Sequence, residues 1–297
     1  MILAETVRIL GRGQGRARSL TQDEAFNAMQ LMLTGAADPE AIGATLMLMR
    51  MKGEIAEEIA GFVQAAQAAL PTDPIADLDW SAYAAGRTRG SAWFLHSAKT
   101  VAAQGHRVLL HGWNGTDTAI RDGVAQLGIP TCETLDDAKR ALDKGNIAYL
   151  PLEVFHPALF DLLKLRDKLG LRSCVNTVCR MLNPGRADAS VQGVFHPSYR
   201  LLQSDAAQLI GWDALSVIKG GGGEFERHPG KPIEAFGLHA GTPWQDTLSP
   251  LIDDQSRLVD HAGDVTDISA PFVQAMINGT TELALETLKN RTNSAAA

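Results

Sequence analysis

The chain predicts an α/β protein in which a small helical domain adjoins a larger α/β domain built on a mostly parallel central sheet. Three observations carry that prediction. Apolar residues of roughly the first seventy positions recur at helical spacing. Beyond Pro74, short apolar runs alternate with stretches long enough for helices, the pattern of βαβ units. One more helical stripe, at 156–169, interrupts the alternation and returns the chain to the helical part. The implied division is a helical domain over 1–72, joined by part of 153–182, and an α/β domain over 73–297.

Taken in order, Thr21-Gln-Asp-Glu24 is a capping box ahead of Ala25, Met29, Met32 and Leu33, and Gly35 closes that helix. A second helix starts near Asp38-Pro39 and carries Ile42, Leu46 and Met49 to Lys52-Gly53. A third runs from about 54 to 69 with Ile55, Ile59, Phe62 and Val63 on one face, and Pro71 ends it. The methionines here read as core filling. Strand-like runs follow at 108–110, 148–150, 191–194 and 215–218, with a helix near 119–127 between the first two. Leu159, Leu162, Leu163 and Leu169 make the stripe of the 156–169 helix. His156-Pro157 and His196-Pro197 read as turn or helix-start punctuation.

With 45% hydrophobic and 21% charged residues among 297, the composition is that of a globular protein able to bury a core. No apolar run reaches the ~18 residues of a membrane span, and the N-terminal residues lack a signal-peptide pattern. Three cysteines without metal-like spacing fit a reducing compartment, so a cytoplasmic location and no membrane partner are expected. The 293–297 end reads as a frayed tail. The formal charge is −7, yet segment 81–114 holds Arg87, Arg89, Lys99 and Arg107 and no acid, while 157–186 holds six basic residues against Asp161 and Asp167. Two segments of +4 each leave −15 on the remainder. Such segregation points to an anionic ligand, either a small phosphorylated substrate or a polynucleotide.

Within the second segment Arg166 lies on the apolar stripe, seven residues after Leu159. A guanidinium there must be ion-paired or open into a cleft, because an unpaired buried charge is very costly. Lys164 and Lys168 fall on a flanking face suited to solvent. Lys219-Gly220-Gly221-Gly222-Gly223-Glu224 follows a strand-like run; consecutive glycines permit either a backbone anion nest or a plain turn, and the run lacks the Lys-Ser/Thr of a Walker loop. Glu224 and Glu226 are candidate magnesium ligands.

Several pieces in order resemble the anthranilate phosphoribosyltransferase family, whose fold is the family 3 glycosyltransferase fold shared with pyrimidine nucleoside phosphorylases. They are Leu48-Met49-Arg50-Met51-Lys52-Gly53-Glu54 with Glu57-Glu58-Ile59-Ala60-Gly61, then His111-Gly112, His156-Pro157-Ala158, Arg166, Leu169-Gly170-Leu171-Arg172-Ser173, Asn176 and Asn183-Pro184. The resemblance spans roughly 1–240. It implies a dimer formed through the helical domain, with a cleft between domains that contains His111, Gly112, Asn176 and the acceptor-contacting Arg166.

The chain departs from that family at its donor site. Tyr83-Ala84-Ala85-Gly86-Arg87 stands in place of the GTGGD loop that cradles phosphoribosyl pyrophosphate. Trp93-Phe94-Leu95-His96 replaces Asn-Ile-Ser-Thr, Leu110-His111-Gly112-Trp113-Asn114 replaces Lys-His-Gly-Asn-Arg, and Phe225-Glu226 replaces the Asp-Glu magnesium pair, leaving Glu226 as the one remaining ligand. A divergent branch of homodimeric, nucleic-acid-binding proteins is more similar still: its opening resembles Ile9-Leu10-Gly11-Arg12-Gly13 followed by Ala17-Arg18, and it lacks the glycine loop. This resemblance implies a catalytically degenerate protein that binds single-stranded nucleic acid or another polyanion without sequence specificity. Arg87, Arg89, Lys99, Arg107, Arg166 and Arg172 would hold phosphates, Trp93 and Trp113 would stack bases, and no cofactor would be needed. Trp93 and Phe94 as core residues of a helix is the other reading of that pair. The alternative function is a phosphoribosyl or pentosyl transferase of altered substrate, requiring magnesium.

Overall fold

The computed structural model describes residues 2–13, 15–83, 91–113 and 118–292. Four helices lead: α1 (Leu3–Gly11), α2 (Gln22–Leu33), α3 (Pro39–Lys52) and α4 (Ala56–Gln67). The alternating part follows as β1 (Leu78–Ala82), α5 (Phe94–Ala103), β2 (Val108–Gly112), α6 (Ala119–Gln126), α7 (Leu135–Gly145) and β3 (Ile147–Pro151). Then come α8 (Leu152–Phe155), α9 (Pro157–Leu169), α10 (Val175–Arg180), β4 (Ala189–Val194), α11 (Ser198–Leu209), β5 (Ala214–Lys219), β6 (Ile233–His239), β7 (Thr242–Leu248) and α12 (Pro271–Lys289). The described residues thus contain the predicted helical part and α/β part with a mostly parallel sheet.

The sheet runs β3-β2-β1-β4-β5-β6-β7; β1 to β5 are parallel and the last two pairings antiparallel. Strand order reverses at β1, which has β2 on one side and β4 on the other. In an open parallel sheet the crevice beyond the carboxyl ends at such a reversal is where ligands bind. One face of the sheet packs, through Leu215, Val217 and Leu238, into the same core as Met29, Leu46, Phe62 and Leu159. The other face, with Trp80, Val191 and Ile218, packs on Phe94 and Ala98 of α5 and Leu283 and Ala284 of α12.

Local chemistry fixes the helical part. Thr21 and Glu24 form the reciprocal capping box that the sequence predicts. The buried Glu58 carboxylate takes the Leu20 N–H at 2.8 Å, the Ile55 N–H at 3.1 Å and the Lys52 ammonium at 2.9 Å. Those three donors offset the cost of burying the carboxylate. His156 caps α9: its Nδ1 accepts the Leu159 N–H at 3.3 Å, and its Nε2 donates to the Ala66 carbonyl of α4 at 3.1 Å. Pro157 follows as the first helical residue, and Gly170 closes α9 in the left-handed conformation at φ 70°.

Several elements lie outside the apolar runs read from the sequence. Asp79 and Ser81 break the apolar run of β1, yet that strand is wholly buried. Ser190 Oγ donates to Asp79 Oδ2 at 2.8 Å, which makes its burial tolerable. Polar β7 is an exposed sheet edge paired to β6, and α12 carries its buried residues on a threonine-rich stripe.

The His156 geometry requires the neutral ring, and burial pushes its pKa below the ordinary 6.5. A histidine whose folded pKa is depressed contributes fully above about 6.5 and loses that contribution as pH falls through the folded value. Denaturant unfolding should therefore show stability falling below pH 6.5, with a smaller fall in His156→Gln. His156→Ala should lower stability by about 1–3 kcal/mol at pH 7.5 through loss of the cap and the α4 bond.

Candidate functional site: an arginine pocket at the strand-order reversal

Beyond the carboxyl end of β4, a cavity of about 480 Å³ opens between α3, α9, α10 and the start of α11. Four guanidinium groups line it, from Arg50, Arg166, Arg172 and Arg180, together with Asn176 and Tyr199. Arg50 occupies the last turn of α3 and Arg166 the last turn of α9, where helix carbonyl dipoles favour cations. Arg50 Nη1 donates to the Arg172 carbonyl at 2.6 Å and so ties the helical part to the segment between α9 and α10. The Tyr199 hydroxyl donates to Glu54 Oε2 at 3.2 Å; burial, with Glu54 beside it, pushes its pKa up to about 12, so the phenol stays protonated.

Arg180 is buried. Its Nε donates to the Gly193 carbonyl of β4 at 2.9 Å and its Nη2 to the Tyr83 carbonyl after β1, also at 2.9 Å. Its Nη1 donates to the Asn176 carbonyl at 3.3 Å and to Asn176 Oδ1. One guanidinium thus joins α10 to the ends of both strands at the reversal.

Beneath it lies a polar chain closed to solvent. The Tyr83 hydroxyl is 2.9 Å from His111 Nδ1, and His111 Nε2 lies 3.0 Å from Asp79 Oδ1, an ion-pair contact rather than an aligned hydrogen bond. The tyrosine hydroxyl donates to Nδ1. Burial raises the Tyr83 pKa well above its ordinary value, which keeps it a donor. Gly112 adjoins this chain because a Cβ there would collide with the Ala82 carbonyl of β1.

Among the described residues, the opposite side of β1 is filled by protein. Glu226 is buried, and its Oε1 accepts the Phe94 N–H at the first residue of α5 at 3.0 Å. A carboxylate there satisfies a helix N-terminus that would otherwise suit an external anion. Phe225 meets Trp80 edge-on at 5.4 Å between ring centres, and Trp80 stacks on Phe94 at 6.2 Å. The position beside Glu226, where the resembled family carries a second acid, is a core phenylalanine, so the two-carboxylate magnesium pair is reduced to one. Glu226, the candidate magnesium ligand, is engaged through Oε1 as a cap of α5.

Of the residues expected to hold an anion, Arg166 and Arg172 come together in the cavity, joined by Asn176 of the expected cleft positions. Arg87 and Arg89 lie outside the described residues. Lys99 points away, donating to the Leu127 carbonyl at 2.6 Å. Arg107 precedes β2 at the amino-terminal edge of the sheet and pairs with Asp77 at 3.5 Å, so it does not join the others. Base stacking by Trp93 is overturned: its side chain is buried against Val265, Val273, Met276 and Ile277. Trp113 is half-buried and edge-on to Phe160 at 5.5 Å, outside the cavity. Sequence reasoning misses Arg50 and Arg180 as pocket-lining residues, although Arg50 stands inside the Leu48–Glu54 motif and Arg180 contributes to the charge of the second basic segment.

Comparison with known proteins agrees with this fold. Residues 5–69 match the model of a glycosyl transferase family helical bundle domain, and residues 94–242, half of the chain, match that of the same family's α/β domain. The chain belongs to this glycosyl transferase family. Anthranilate phosphoribosyltransferase of Roseiflexus sp. (strain RS-1) is 29% identical over 272 residues, covering 89% of this chain and 80% of that protein. The corresponding protein of Geobacillus kaustophilus is 25% identical over 274 residues, covering 89% and 79%. Among solved structures, anthranilate phosphoribosyltransferase from Thermus thermophilus superposes with TM-score 0.72 at 20% identity, covering 98% of this chain and 95% of that one. The Saccharomyces cerevisiae enzyme in complex with PRPP and Mg gives 0.77 at 16% identity, covering 98% and 90%. These superpositions establish the fold.

In this glycosyl transferase family member the tyrosine–histidine contact supports the strand ends that carry the pocket. Tyr83→Phe leaves His111 Nδ1 without its buried donor, so chemical unfolding should show a loss of about 1–3 kcal/mol.

Proposed function

We propose that the protein is a glycosyltransferase of altered substrate, in which the arginine pocket receives the acceptor, an aromatic carboxylate. The observation that carries this reading is the convergence of Arg50, Arg166 and Arg172 on one cavity beside Phe195 and Tyr199. A guanidinium presents a planar fork that matches a carboxylate, and the aromatic side chains offer faces for a ring. Anthranilate, the aromatic acid in the names of the relatives, has this chemistry. In the reaction, a nucleophilic atom of the acceptor bonds to the anomeric carbon of a pentosyl donor, and the donor's phosphate or pyrophosphate departs with the bonding electrons. The altered part is the donor end, where Glu226 caps α5 and Phe225 fills the space beside Trp80.

A polyanion laid into the same pocket is the second reading, and that filled donor end favours it. A protein that has closed its pyrophosphate side with its own carboxylate and aromatic rings keeps a basic cleft that can take backbone phosphates of single-stranded nucleic acid.

The two readings separate in one set of assays. With magnesium chloride present, phosphoribosyl pyrophosphate and ribose 1-phosphate are each offered with a panel of aromatic carboxylates, and phosphate or pyrophosphate release is followed. The transferase reading expects acceptor-dependent release from one donor, with kcat/KM lowered about 10²-fold or more in Arg166→Ala/Arg172→Ala through loss of two charge-assisted contacts. Absence of release from either donor, with tight and steeply salt-dependent binding of a labelled single-stranded oligonucleotide, would replace it with the second reading.

A further inference from the structure

A second groove, of about 590 Å³, opens at the carboxyl end of β5. The first turns of α11 separate it from the arginine pocket: Tyr199 and Gln203 line that pocket, whereas Pro197 and Arg200 line this groove. Its apolar wall comes from Pro232, Ile233 and Leu258.

The charge of the groove rests on two lysines. Arg200 is held by Glu234, Nη2 to Oε2 at 2.7 Å, so that pair is neutral together. His228 has both ring nitrogens engaged, Nε2 at 2.9 Å from the Ser256 carbonyl and Nδ1 accepting the Gly230 N–H at 3.2 Å; burial lowers its pKa, and the ring is neutral at pH 7. Lys219 and Lys231 remain, exposed, and neither makes a hydrogen bond or ion pair with a described residue. A chain of net charge −7 therefore keeps two uncompensated ammonium groups on one groove.

The glycine run adds neutral donors beside them. Gly220 and Gly221 line the groove, and Gly222 adjoins it with Lys231. Gly222 is left-handed at φ 60°, ψ 1°, directly after helical Gly221, the pairing that turns successive N–H groups toward one concavity. The Gly223 and Glu224 N–H groups close on the Gly220 and Gly221 carbonyls, but those of Gly221 and Gly222 meet no acceptor among the described residues.

We propose that this groove is a second ligand site, which takes a phosphomonoester. Lys219 and Lys231 hold the phosphate as point charges, the Gly221 and Gly222 N–H groups complete its shell, and the organic part lies against Pro232, Ile233 and Leu258. A tetrahedral group with several oxygens accepts donors from these separate directions, whereas a planar carboxylate matches the guanidinium forks of the other pocket.

Phenyl phosphate titrated into the ¹⁵N-labelled full chain tests this by two-dimensional NMR. Saturable shifts of the Gly221 and Gly222 amides are expected, with affinity about tenfold weaker in Lys219→Gln/Lys231→Gln and retained in Arg166→Ala/Arg172→Ala. Both lysines are exposed, so the double variant keeps the fold, which its remaining amide spectrum verifies. Unmoved Gly221 and Gly222 amides, or equal affinity in the lysine variant, would overturn the assignment.

Discussion

The buried guanidinium of Arg180 is the contact on which the arrangement of the site depends. A charge so deep in a fold must have its donors met, and here the acceptors belong to three separate elements: Asn176 on α10, Gly193 on β4 and the Tyr83 carbonyl after β1. Because those elements flank the strand-order reversal, satisfying one charge also sets the width of the crevice between them. Arg50 extends the tie by its bond to the Arg172 carbonyl, so the helical part is referenced to the same edge of the sheet. Below, the Asp79–His111–Tyr83 chain fixes the two strands from inside. The pocket is held by polar contacts whose removal would leave buried groups unpaired, which makes it a specified shape rather than a gap between packed surfaces.

The two sides of β1 have opposite characters. Toward β4 and α10, cations gather around open space, while toward α5 the same kind of space is occupied by Trp80, Phe94, Phe225 and the Glu226 carboxylate. A helix N-terminus already bound to an internal carboxylate has little attraction left for an external phosphate, since the N–H and the dipole are both engaged. This asymmetry is the physical ground of the altered donor end in the proposed function.

Much of the fold was legible because the signals are local. Thr21 with Glu24, Pro157 behind His156 and the apolar stripe of Leu159, Leu162 and Leu163 mark helices wherever they occur. Strand β1 was hidden by Asp79 and Ser81, polar residues of which Asp79 is made acceptable only by His111 and Ser190 from neighbouring strands. The site was legible in part. Arg166 signalled itself as a charge on an apolar stripe, whereas charge count alone grouped Lys99 and Arg107 with it although the tertiary fold sends them elsewhere. Trp93 looked equally suited to a base or a core, and its burial against α12 decides for the core. Arg50 and Arg180 converge from distant parts of the chain, a juxtaposition that only the tertiary fold around the strand-order reversal creates.

The most direct test of the account is ¹⁹F NMR of 4-fluoroanthranilate titrated into the pure protein and into Arg166→Ala/Arg172→Ala. If the arginine pocket is an acceptor site for aromatic carboxylates, the wild-type protein will broaden and shift the fluorine line saturably, and the double variant will not. A fluorine line unaffected by the wild-type protein, or affected equally by the variant, would contradict it.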